Sequence, residues 1–250
     1  MIGIVIPAHN EAATLHACLS SIAQAAAHPA LLGEIVQVAV VLDGCSDDSA
    51  AIAAHFDVAS LVSDARNVGR ARAMGAEYLL DRQARWLAFT DADSVVSTTW
   101  LVEQLALASD AVCGTVVVED WAGLEPAVQH AYDARYQQAE HHRHIHGANL
   151  GVSADAYRRA GGFAPLVAHE DVALVHALQA CGARIAWSAR PGVRTSARTV
   201  GRAPEGFAVY LRTLQAQVSG AVMNLNGVSG LSVCTVTQMP VPISKVISPC

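Results

Sequence analysis

Five short, mainly apolar runs separated by helical patterns constrain this 250-residue chain more than any other feature. The runs cover residues 3–6, 35–42, 58–62, 86–90 and 111–118. Between the first two, Leu15, Cys18, Leu19, Ile22 and Ala26 recur at helical spacing, with Asn10 placed as an N-cap. This is βαβα order. Apolarity that is continuous rather than alternating predicts strands buried on both faces, hence a parallel sheet sandwiched by helices. With 52% hydrophobic and 15% charged residues and no long polar linker, the expectation is a single α/β domain.

In such sheets ligands bind beyond the carboxyl ends of the strands, so polar residues should follow each run. They do: Pro7-Ala8-His9-Asn10-Glu11, then Asp43-Gly44-Cys45-Ser46-Asp47-Asp48, then Asp64-Ala65-Arg66-Asn67-Val68-Gly69-Arg70, then Asp91-Ala92-Asp93. If the last triplet is extended, period 2 turns Asp91 and Asp93 to one side, where both can face one hard cation. The second half reads as a helical pattern over 124–144, Gly147-Ala148-Asn149-Leu150-Gly151-Val152-Ser153, a helix over 154–160 and Gly161-Gly162-Phe163. His169-Glu170-Asp171 then opens a helix running to 181, a further helix is expected over 206–218, and 219–250 carries a single charge, Lys245.

Several functions are argued against by composition and pattern. The formal charge of −6, without a basic run, speaks against nucleic acid. Six scattered cysteines form no C-x-x-C pair, and the chain has neither a signal-peptide pattern nor an 18-residue apolar run, so no transmembrane segment is expected. A cytoplasmic protein is expected, with a peripheral position at the membrane left open. No G-x-G-x-x-G follows the first run, against a dinucleotide-dependent oxidoreductase, and residues 7–14 hold neither the glycine nor the lysine of a nucleotidyltransferase phosphate loop. An aspartyl phosphatase would leave the earlier strand-end clusters unexplained.

With these residues in order, the chain resembles glycosyltransferase family 2, enzymes of the GT-A fold that use nucleotide-diphosphate sugars. The likeness runs over residues 1–214 through Ile4-Val5-Ile6-Pro7-Ala8-His9-Asn10-Glu11, Val41-Leu42-Asp43-Gly44-Cys45-Ser46-Asp47-Asp48-Ser49, Asn67-Val68-Gly69, Asp91-Ala92-Asp93, Gly147-Ala148-Asn149, Gly161-Gly162-Phe163 and Glu170-Asp171. It implies a Rossmann-like, mainly parallel sheet of GT-A type over residues 1–218, with a nucleotide-sugar half (1–120), an acceptor half (121–218) and a tail (219–250) of no assigned role.

The resemblance implies that Asp43 accepts the imino N–H of a base, beside Pro7, Ala8 and Glu11; the alternative is a turn leading to a helix capped by Ser46. Asn67, Arg70 and Arg72, at a helix start, would belong to the nucleotide-donor site, with one arginine reaching the diphosphate or both solvated. Asp91 and Asp93, with Ala92 between, would hold Mn2+ or Mg2+, Asp93 being the stronger candidate for direct ligation. Asp171 would be the general base of an inverting transfer and Glu170 an orienting or acceptor-binding group, against the alternative that the pair only favours its helix N-terminus. Gly147, Asn149 and His169 would lie near donor sugar and acceptor, Asn149 bonding a sugar hydroxyl or merely starting a strand. His141, His142, His144 and His146 fit no structural zinc spacing and are expected to end a helix on the acceptor side. Arg194, Arg198 and Arg202 are weaker phosphate candidates. The expected partners are a nucleotide-diphosphate sugar and an unidentified acceptor. The alternative is a non-catalytic sugar-nucleotide-binding or scaffold protein.

Overall fold

The computed structural model describes residues 1–121, 123–136, 138–196 and 211–219. In chain order the elements are β1 (Ile2–Ala8), α1 (Leu15–Ala26), β2 (Val36–Asp43), α2 (Ser49–Ala53), β3 (Ala59–Ser63), α3 (Val68–Asp81), β4 (Trp86–Phe89), β5 (Ser94–Val96), α4 (Trp100–Ala106), β6 (Ala111–Gly114) and β7 (Val117–Asp120). There follow α5 (Pro126–Asp133), β8 (Leu150–Ser153), α6 (Ala154–Arg159), α7 (Glu170–Ala180), β9 (Ile185–Ser188) and β10 (Val193–Ser196). A helix of residues 211–219 packs Leu211 and Leu214 against Val118, Val128 and Tyr132.

Seven strands form one mixed sheet in the order β3-β2-β1-β4-β8-β6-β9. Every pairing is parallel except those of β8, which runs antiparallel to β4 and β6. Layering follows from the period of two along β1. Ile2, Ile4 and Ile6 enter one core with Leu15, Leu19 and Ile22 of α1, whereas Val5 enters the other with Leu79 of α3 and Leu174 and Leu178 of α7. Each of these fully buried aliphatic side chains contributes about 1.5–3 kcal/mol. Gly3 is small because a Cβ there would stand 2.9 Å from Leu79 Cδ1.

Four sequence expectations are corrected. Strand β3 lies at the sheet edge and alternates partly buried with exposed residues, so burial on both faces fails there. The run at 111–118 is two strands, because the chain leaves the main sheet after Gly114 and β7 joins a second sheet, β5-β10-β7. The helix expected over 124–144 stops at Asp133, and His141 takes a left-handed φ of 64° that no helix accommodates. Helix α1 begins at Leu15 with Thr14 as N-cap, not Asn10. Among the described residues no helix is long and apolar enough to cross a membrane. Arg198, Arg202, residues 206–210 of the expected late helix and residues 220–250 of the tail lie outside the described residues.

The antiparallel strand is what completes the site. Phe89, the last residue of β4, faces Leu150, the first of β8, so the Gly147–Asn149 turn lands on the rim reached by the carboxyl ends of β1, β2 and β4.

Candidate active site

Hydrogen bonds between strand-end loops shape one wall of the rim. Asn10 is not a helix cap: its Oδ1 accepts from the Ser46 amide at 2.7 Å, tying the loop after β1 to the loop after β2. The Glu11 amide donates to Ser49 Oγ and the Ala12 amide to Asp47 Oδ2, each at 2.9 Å. Asp47 Oδ1 accepts from the Ser49 amide at 3.0 Å and so opens α2, the role expected of Ser46. Gly44 makes the turn out of β2 at a φ of +64°.

Asp43 stands at the end of β2, 4% exposed. Its Oδ1 accepts from Ser63 Oγ at 2.8 Å and the Arg66 amide at 2.9 Å, and its Oδ2 from the Asn67 amide at 2.7 Å. Burial works against the charged form, yet these bonds hold the carboxyl below its ordinary range. In this structure Asp43 anchors the loop that leads into α3, a role beyond the turn and base contact weighed from sequence. Pro7 is half-buried, while Ala8 and Glu11 are buried.

Asn67 caps α3, its Oδ1 accepting from the Arg70 amide at 2.9 Å and its Nδ2 donating to Pro165 O at 3.0 Å. The Gly69 amide donates to Leu166 O at 3.1 Å. Leu166 O and Asn67 Oδ1 thus take up the Gly69 and Arg70 amides, two of the donors whose partial positive charge was expected to help a diphosphate. Arg70 points to solvent. Arg72 does the opposite of what a solvated or phosphate-reaching arginine would do: it is 3% exposed. Its Nη2 donates to Asp91 Oδ1 at 2.5 Å and its Nη1 to Glu170 Oε1.

The Asp91-Ala92-Asp93 segment is a turn, not extended strand, closed by the Ser94 amide donating to Asp91 O at 3.1 Å. Ala92 is buried at 2% exposure and both aspartates are half-exposed, so the alternation of buried and exposed residues comes from turn geometry rather than pleat. Beneath them Cys18 Sγ donates to Asp91 O. Burial first, then the charges of Asp93, Asp91 and Glu11, push that thiol up.

Glu170 and Asp171 open α7 after His169, which is exposed at a left-handed φ of 60°. Glu170 is 5% exposed, too buried to touch an acceptor; burial raises its carboxyl and Arg72 opposes that rise. Asp171 is half-buried, its Oδ2 accepting from the Gly147 amide at 2.7 Å and its Oδ1 from the Val172 amide at 2.8 Å. Gly147 is required because a Cβ would fall on the Arg72 guanidinium. Asn149 is fully buried and faces inward: Nδ2 donates to Thr115 O and Pro191 O, and Oδ1 accepts from Trp100 Nε1. It ties three segments together, and no sugar reaches it in this arrangement.

The histidines form a stack rather than a helix end. Tyr136 and His144 rings stack at 4.3 Å, and His142 continues the ladder at 5.5 Å from His144. Tyr136 Oη accepts from the Val116 amide and is hydrogen-bonded to His146 Nε2, each at 2.9 Å. Burial, then His144 and His142, push His146 from 6.5 down to about 3. Burial lowers His142 too. Because the folded-state value lies below the unfolded one, stability is full above about 6.5 and declines as pH falls from there toward 3. Urea midpoints at about pH 7.5 and about pH 4.5 are expected to show the acid value lower, and His146→Gln to narrow the gap. Equal wild-type midpoints would exclude this account. Nothing local in the sequence pointed to Tyr136 or Val116 as partners of His146.

As a donor set, the half-exposed carboxylates suit a hard cation. Among the described residues no group of three or more His, Cys, Asp or Glu side chains is arranged to hold a metal alone. One or two carboxylates, with diphosphate oxygens and water completing the shell, is the usual arrangement for Mg2+-like ions, and Asp93 and Asp91 fit it.

A family model described as "Glycosyl transferase family 2" matches residues 3–160. The fold is similar to that of S. aureus TarS 1-349 in complex with UDP-GlcNAc, at 12% identity and a TM-score of 0.64 over 89% of this chain and 66% of that one. It is similar also to the mannosyltransferase PcManGT from Pyrobaculum calidifontis in complex with GDP-Man and Mn2+, at 16% identity and a TM-score of 0.59 over 89% and 64%. The chain thus spans slightly less than two-thirds of these longer proteins. No curated protein matches the sequence.

Proposed function

The chain belongs to glycosyl transferase family 2, and from that premise we propose that it transfers a sugar from a nucleotide-diphosphate donor to an acceptor hydroxyl. A UDP-sugar is the first donor to try and a GDP-sugar the second, the two nucleotide classes held by similarly folded proteins. The observation that supports the reading is that Arg72 joins Asp91, in the turn that also carries Asp93, to Glu170, the neighbour of Asp171.

Asp171 takes the proton of the attacking hydroxyl, as a half-buried carboxylate held in orientation by the Gly147 and Val172 amides. The hydroxyl oxygen bonds to the sugar C1 as the C1–O bond to the diphosphate breaks, and attack opposite the leaving group inverts the anomeric centre. Asp93, with Asp91, would hold Mn2+ or Mg2+, which as a Lewis acid stabilises charge on a departing nucleoside diphosphate. Pro7 and the loops around Asp43 supply the base and ribose wall.

Incubating the protein with Mn2+ and a panel of nucleotide sugars, and following nucleoside diphosphate release, tests the reading. Slow hydrolysis of at least one donor, abolished by EDTA, is the expected result. Binding of nucleotide sugars without hydrolysis or transfer would instead identify a sugar-nucleotide-binding or scaffold protein.

A further inference from the structure

Four segments that lie far apart in the chain meet at one guanidinium. Arg72 donates to Asp91 in the metal-binding turn and to Glu170 beside the base, it occupies the space that a side chain at Gly147 would need, and it lies 5.8 Å from the Phe163 ring centroid. Its Nε is a buried donor with no acceptor. An ion triad of this kind, with Arg72 and Glu170 buried and Asp91 half-exposed, adds little to stability, and the orphan donor detracts from it, so stability alone does not account for the arrangement. Both Nη groups are engaged and the side chain is almost inaccessible, so a diphosphate could reach it only by displacing a carboxylate.

We propose that Arg72 is a positioning residue that sets the metal-binding turn and the base-bearing end of α7 at their working separation. The inference rests on the function proposed above and goes beyond it by moving Arg72 out of the donor-binding set. Helix α3 acts as the rigid spacer. Its first turn is bonded to residues 165 and 166, just before α7, and one turn later Arg72 bridges Asp91 to Glu170. A forked cation is needed because a single ammonium cannot hold two carboxylates carried on separate segments with fixed geometry.

The test compares Arg72→Lys, Gly147→Ala and the double variant, reading kcat, donor KM, thermal midpoint and the affinity for UMP without metal. For Arg72→Lys, kcat falls roughly 10- to 100-fold while donor KM and UMP affinity stay within about threefold. Gly147→Ala, which displaces the fork without altering it, lowers kcat similarly, and the double variant is no worse than the poorer single one. Unchanged kcat with raised donor KM for Arg72→Lys makes the residue a donor ligand and overturns the proposal, as do losses that multiply in the double variant. If Arg72→Lys fails to fold, Gly147→Ala decides alone: a wild-type kcat in a folded protein overturns the proposal. If Asp93→Ala and Asp171→Asn are inactive while Arg72→Lys keeps its kcat, only this inference fails; if those two remain active, the site reading itself fails.

Discussion

Asp93→Ala is expected to lower Mn2+-dependent release of nucleoside diphosphate on the order of 10³-fold, the effect of losing several kcal/mol of charge stabilisation on the leaving group. The fold is expected to survive. Asp93 is half-exposed, and the turn that carries it is shaped by buried neighbours, Ala92 beneath and Thr90 and Ser94 on either side. A surface truncation of this kind costs within about 0.5 kcal/mol, so the thermal midpoint should hardly move. Asp91→Ala is a poorer test, because it also leaves Arg72 with one carboxylate in place of two. Turnover in Asp93→Ala that matches wild type at saturating Mn2+ would remove the proposed metal position.

The second large effect is expected at Asp171. Asparagine keeps the size of the side chain and an oxygen to accept the Gly147 amide, while it gives up the acceptor for the Val172 amide together with the ability to take a proton. The expected loss in kcat is about 10²- to 10⁴-fold, the usual contribution of a positioned general base, with nucleotide affinity unchanged by calorimetry. Glu170→Gln should behave differently. Its carboxylate is buried against Arg72, so the change removes half of an internal charge pair and lowers stability together with activity. An Asp171→Asn protein with normal turnover would assign the proton to another group and leave α7 with helix-start electrostatics only.

Much of this was legible before any coordinates. The runs at 3–6, 35–42, 58–62 and 86–90 became β1 to β4 within a residue or two, and the rule that ligands gather beyond strand ends gathered Asp43, Asp91 and Asp93 on one rim. A helix start near Asn67-Val68-Gly69 was likewise readable, and the structure adds that Asn67 is its cap, with Oδ1 accepting from the Arg70 amide. The misreadings share a cause. The 124–144 helix, the single strand at 111–118 and the Asn10 cap were argued from local pattern, and each was overruled by partners distant in sequence: Tyr136 and Trp187 hold the histidine segment, β10 draws β7 away, and Ser46 claims Asn10.

Arg72 marks the boundary between the two kinds of information. Periodicity and strand-end polarity are properties of near neighbours, so the chain alone determined an α/β layout, a D-x-D triplet at a strand end and an acidic pair opening a helix. Whether an arginine at a helix start is solvated, binds a ligand or is buried depends on carboxylates 19 and 98 positions away. Only the packed sheet, with β8 reversed so that Gly147 meets the end of β4, brings those charges within reach of one another, because desolvation and pairing are consequences of what surrounds a group in space.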